Sequence, residues 1–174
     1  MRRGLLRSGE KVPAEVCLLD REKQLVFYSH IRPDQPLAKG ERRGGVPWHL
    51  LEGAPTLKEV IPDLQRALQG CLLVGYGLGS DLGALGLQRS SSIEAKLDLA
   101  FMQLFKQRSP ARQLKVVAKE LLHRDIQAGK LHSAREDALA IMDLFLQYAH
   151  QSPDADAAII EAHFLRDLMT SRQV

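Results

Sequence analysis

Three side chains of this sequence, Asp81, His132 and Asp137, could cooperate in hydrolysis. For His132 and Asp137, the carboxylate could hold a divalent ion while the imidazole takes a proton from water. Asp81 follows the run Gly75-Tyr76-Gly77-Leu78-Gly79-Ser80, and His132 stands just before Ser133-Ala134-Arg135-Glu136-Asp137. Each also has a plainer reading. An acid in the first turn of a helix complements its positive end, worth ~0.3–1 kcal/mol, and histidines near caps are common. Taken singly, either segment reads better as helix-end chemistry than as catalysis. The glycine run is not a dinucleotide loop, because Gly75 and Gly77 would need a third glycine where Ser80 stands.

The elements that must position these groups follow from pattern. Residues 14–20 and 24–31 are apolar runs around the polar turn Arg21-Glu22-Lys23, which predicts a hairpin. Pro33, Pro36, Gly40, Gly44, Gly45 and Pro47 mark an irregular loop. Thr56 and Glu59 form a capping box for a helix to about Gln69, with Pro62 inside it as a candidate kink. Residues 71–75 read as a buried strand, 81–87 as a short helix, and 97–99 as another short strand. Ser109-Pro110 opens a helix on which Leu114, Val117, Ala118, Leu121 and Leu122 share one face. Arg112, Lys115 and Lys119 share the opposite face. Ser133 and Glu136 form a second capping box, for a helix to about Ala149 that is apolar on nearly every side and so central to the core. A final amphipathic helix is expected over 154–169. Strands followed by alternating helix and strand indicate an α/β fold with a mixed sheet.

Composition narrows the classes. The chain has 174 residues, enough for one domain that buries roughly 70% of its unfolded surface. No apolar run approaches the ~20 residues of a membrane span, and the basic start Met1-Arg2-Arg3 does not read as a secretory leader. An intracellular protein with free, buried Cys17 and Cys71 is expected. The six histidines lack zinc-ligand spacing. Net charge is +3, and from Lys96 to Lys119 six basic residues face one acid, Asp98. That balance suits a polyanionic partner, although a charged outward helix face is commonly no more than a solvated surface.

Together the two acidic segments resemble motifs of the DEDD-type 3′→5′ exonucleases. The strand, the glycine turn and Asp81-Leu82 are similar to the second motif, and His132-Ser-Ala-Arg-Glu-Asp137-Ala to the third motif of the histidine subclass. Between them, Gln113-Leu-Lys-Val-Val-Ala and Ile126-Gln127-Ala128-Gly129 resemble a run of the RNA exonuclease 4 group, and Leu97-Asp98 falls where that group has an Asp-Thr pair. The resemblance covers about residues 12–148. It implies an RNase H-like exonuclease fold, a mixed sheet flanked by helices, over residues 1–150, with 151–174 as a C-terminal helical extension. It further implies Mg²⁺ or Mn²⁺ in a two-ion site on Asp81 and Asp137, with His132 as general base. The implied substrate is a single-stranded RNA 3′ end, or DNA, with Arg112, Lys115 and Lys119 against its phosphates. A role in RNA processing and a nuclear or nucleolar location go with the resemblance.

One motif departs. The group opens with Asp-x-Glu on its first strand, and no such pair precedes the hairpin here; Asp20-Arg21-Glu22 has the spelling but lies at the hairpin turn. The group's first strand is central, between the strands expected here at 14–20 and 71–75, so its loss leaves two edges whose backbone groups need partners. Residues 4–7 are too short and too charged to replace it. Met1 matches a methionine that commonly follows the acidic pair, so the expectation is a shortened chain or a decayed homologue. Hydrolysis by the chain as written is expected to be weak or absent, the alternative function being a non-catalytic RNA- or partner-binding module with the nuclease shape. Tyr76, where the group usually has histidine, is a lesser departure.

Overall fold

A computed structural model describes residues 1–6, 8, 10–35, 46–102, 113–128 and 133–148. The final helix expected over 154–169, the extension 151–174 and the helix start at Ser109-Pro110 lie outside the described residues.

The chain opens with strand β1 (Arg2–Leu5), followed by β2 (Lys11–Leu19) and β3 (Leu25–His30). These three form an antiparallel sheet in the order β1-β2-β3. The hairpin is the one expected, and its turn is closed by Lys23 in the left-handed region at φ 64°. Strand β1 pairs with β2 alone and does not bridge to β4 among the described residues, so it does not take the place of the central strand. It pairs with β2 from Arg2 opposite Glu15 to Leu5 opposite Lys11, with a bulge between Arg2 and Arg3. The bulge sits beside Pro13, which has no N–H to give to a ladder. Arg2 forms a buried ion pair with Glu15 at 3.2 Å, and the Tyr28 hydroxyl donates to the other Glu15 oxygen at 2.9 Å. An arginine that would mark a strand as solvated is here accommodated by a carboxylate inside the sheet.

Short helix α1 (Trp48–Leu51) and the longer α2 (Leu57–Leu68) precede β4 (Leu72–Gly75). The Glu59 carboxylate accepts from the Thr56 backbone N–H, as the capping box requires, and additionally from the Thr56 hydroxyl, and Pro62 lies within α2 without ending it. Helix α3 (Leu78–Ala84), strand β5 (Ala95–Asp98), a 3₁₀ turn, α4 (Leu114–Leu122) and α5 (Ala134–Gln147) complete the described elements. Strands β4 and β5 pair in parallel, Leu72 opposite Ala95 through Gly75 opposite Asp98. The antiparallel and parallel ladders of the expected mixed sheet are therefore both present, in two pieces rather than one.

Each piece has its own core. Val16 and Ile31 of the antiparallel sheet region pack with Leu64, Leu68, Leu78 and Leu82 of α2 and α3. Leu97 and Leu99 pack with Val117 of α4 and Leu144 of α5. Helix α5 joins the halves, packing against both β2 and β4. Its buried Asp143 forms ion pairs with Lys23 of the hairpin turn and with Arg124 beyond α4, the latter at 2.8 Å. Both cysteines are free thiols. Cys17 is buried, and its pKa is raised, chiefly by that burial. Cys71 is exposed, against expectation, because it stands one residue ahead of β4.

Candidate active site

Asp81 is placed by a strand–turn–helix corner. Gly75 ends β4 where a Cβ would overlap the Leu78 side chain, and Gly77 takes φ 76° to turn the chain. The corner is fixed from a distance by Asp98 at the end of β5. Its carboxylate accepts from Gly77 N–H and Leu78 N–H, both at 2.7 Å, and from Ala100 N–H at 3.1 Å. These charge-assisted bonds satisfy amides at the start of α3, so the helix begins at Leu78 and not at Asp81 as its sequence suggested. Asp81 thus lies within the first turn.

The Asp81 carboxylate faces cations. Arg3 of β1 donates to it at 3.1 Å and to Ser80 Oγ at 2.6 Å, and the Met1 ammonium lies 3.6 Å away. The side chain is 30% exposed. Asp81 lines a cleft of about 460 Å³ between β2 and β4, which Ile141 and Phe145 of α5 also line.

Asp137 sits in the first turn of that same helix α5, and it is buried. Ser133 caps the helix, accepting from Glu136 N–H at 3.1 Å, but the expected capping box is only half formed, because the Glu136 carboxylate is turned to Gln127. Gln127, in the left-handed region at φ 57°, reaches across to this turn. Its backbone N–H donates to the Glu136 carboxylate at 3.0 Å and its side-chain amide to Asp137 Oδ1 at 2.7 Å. The Ile126-Gln127 pair, singled out by resemblance alone, therefore has a physical role. Ile126 is buried among Ala118 and Ala140 while Gln127 orders the start of α5.

The remaining expected site residues are dispersed among the described and undescribed parts. His132 and Arg112 lie outside the described residues. Lys115 and Lys119 are exposed on α4, and Lys119 meets Asp125 at 2.9 Å in an exposed pair of the kind worth little. Sequence reasoning missed Asp98, Arg3 and Gln127 as site residues. Asp98 and Gln127 had a signal in their surrounding motifs; Arg3 had none, because its partner is 78 residues away.

Metal chemistry can be tested against these contacts. Among the described residues no three His, Cys, Asp or Glu side chains group to hold a metal ion. An oxygen of Asp81 is turned to the Arg3 guanidinium, which would repel a metal cation. The described residues do not fit a two-ion site.

No family model matches the chain. RNA exonuclease 4 of Gibberella zeae is 30% identical over 142 residues, covering 80% of this chain and 44% of that protein. RNA exonuclease 4 of Candida glabrata is 33% identical, covering 76% of this chain and 51% of that protein. The chain thus spans about half the length of these curated relatives. Among solved structures, the Saccharomyces cerevisiae Pan2 pseudoubiquitin hydrolase–RNA exonuclease module in complex with A7 RNA aligns with a TM-score of 0.70 at 19% identity. It covers 99% of this chain and 30% of that one. This likeness establishes the RNase H-like exonuclease fold.

Proposed function

Because this chain is a homologue of the RNA exonuclease 4 proteins with a DEDD-type exonuclease fold, we infer that it is an exoribonuclease-type domain that engages single-stranded RNA 3′ ends and hydrolyses them weakly or not at all. The observation that carries the second half is the surroundings of Asp81. Its carboxylate is already paired with the Arg3 guanidinium at 3.1 Å. A carboxylate paired with a fixed cation has little left with which to attract Mg²⁺ or Mn²⁺.

RNA engagement is supported by the relatives and by the fold's likeness to an exonuclease module solved with RNA. Lys115, and Arg112 beside it in sequence, would supply phosphate contacts, which position a strand without reading its bases. A nuclear or nucleolar setting would suit such a substrate.

The catalytic reading assigns ion binding to Asp81 and Asp137 and proton removal to His132. A 5′-labelled single-stranded RNA incubated with Mn²⁺ separates the two. Retention of RNA with trimming at trace level is expected. Rapid trimming that Asp137→Ala abolishes would establish the catalytic reading instead, and failure to retain RNA at low salt would remove both.

A further inference from the structure

Strand β3 is an edge: β2 pairs with it on one side, and no strand pairs with its other side among the described residues. The end of the ladder shows which of its backbone groups point outward. Ile31 N–H donates inward to the Ala14 carbonyl at 2.9 Å, and Arg32 N–H donates outward to the Pro55 carbonyl at 2.8 Å. Alternation then turns the N–H and C=O of Val26, Tyr28 and His30 outward as well. The side chains here are exposed too, Leu25 at 54%, Val26 at 49% and Tyr28 at 40%. Natural edge strands are usually blunted by lysine, proline or an inward charge, and Leu25–His30 carries none of these.

Such an edge can take a foreign peptide or a second copy of the chain. The strand and its flanks complement themselves, which favours the copy. Antiparallel pairing sets residues of one face against each other, so β3 meets most of itself in two registers, centred on Phe27 or on Tyr28. The register centred on Tyr28 needs the His30 carbonyl, which already accepts from the Ser29 hydroxyl at 2.6 Å. It also sets exposed Glu22 towards exposed Asp34 of the second copy, acid against acid. The register centred on Phe27 uses the backbone groups of Val26 and Tyr28 alone. It sets Val26 against Tyr28 on both sides of the axis, a β-branched residue against an aromatic one, and exposed Glu22 towards exposed Arg32. Apolar fit and charge agree on one arrangement.

We propose that two copies of this chain pair through β3, antiparallel and centred on Phe27, so that their three-stranded sheets join into one continuous sheet. The contact is isologous: Val26 and Tyr28 of one copy exchange ladder hydrogen bonds with Tyr28 and Val26 of the other. It involves one short strand and its flanks, less than the ~1,200 Å² of a standard interface, so the dimer is weak, with dissociation on the order of 100 µM. This proposal does not depend on RNA binding or on a metal.

The test is sedimentation velocity of the intact chain across a micromolar to millimolar series, with amide hydrogen exchange at Val26 and Tyr28 over the same series. Dimer is expected to grow with concentration while these two amides slow. Val26→Lys acts twice across the axis and should weaken the dimer roughly tenfold or more. Glu22→Lys and Arg32→Glu should each weaken it, and the two together should restore it, which a folding defect would not do. A chain that stays monomeric throughout overturns the proposal. So does a dimer that Val26→Lys leaves intact, because another surface then holds it, and so does a double charge swap that fails to restore pairing. Protection of Val26 and Tyr28 that is the same at every concentration would mean that a segment of the same chain covers the edge, which overturns it as well.

Discussion

The first turns of α3 and α5 each carry an aspartate, yet the two carboxylates live in different electrostatic worlds. Asp81 is partly exposed and meets Arg3 and the Met1 ammonium, groups brought in by the opening strand. Asp137 is buried and receives the neutral amide of Gln127, brought in by the segment just before its helix. Similar local sequence logic placed both acids. What separates them is where these partners come from, a strand 78 residues away for Asp81 and a segment 10 residues away for Asp137.

The difference can be broken hardest at Asp98. Asp98→Ala removes one acceptor from three backbone donors and is expected to cost about 3 kcal/mol, read as a shift in urea midpoint. Hydrogen exchange should show α3 opening while the start of α5 stays protected. Next is Gln127→Gly, which tolerates the left-handed backbone but withdraws the side-chain amide from Asp137. A loss of about 1–2 kcal/mol is expected, with faster exchange at the first turn of α5 and none at α3.

A third prediction concerns the sheet that delivers Arg3. The Tyr28 hydroxyl is held by burial, then by its bond to Glu15 and that carboxylate's charge, so its pKa is pushed up to about 12. The folded value lies above the unfolded one near 10. Its stabilising contribution is therefore complete below pH ~10 and is lost as pH rises through ~12. Phenolate absorbance should report titration near 12, and Glu15→Gln should move it down towards, but not to, the ordinary value. The smallest effect on stability is expected from Arg3→Ala, well under about 1 kcal/mol, because its pair with Asp81 is partly exposed. Thermal unfolding checks this.

Local signals were legible and distant ones were not. The hairpin and the capping box at Thr56 depend on residues a few positions apart and form as read, while at Ser133 only the serine half of the expected box forms. Strand β1 was hidden because two arginines and a glycine look solvated until Glu15 is placed beside Arg2. Helix α3 starts at Leu78, ahead of the Asp81 that its sequence suggests, because the acceptor that caps it, Asp98, is 20 residues away. The exposure of Cys71 could not be told from an apolar run, since a strand's flank shares its composition but not its burial.

The Arg3 guanidinium stands 3.1 Å from the Asp81 carboxylate, where it would compete with a metal ion. Mn²⁺ binding followed by electron paramagnetic resonance, on the unaltered chain and on Arg3→Ala, tests this competition directly. Negligible binding by the unaltered chain and a clear gain in the variant are expected. Tight binding of two ions by the unaltered chain, lost in Asp81→Asn, would contradict it.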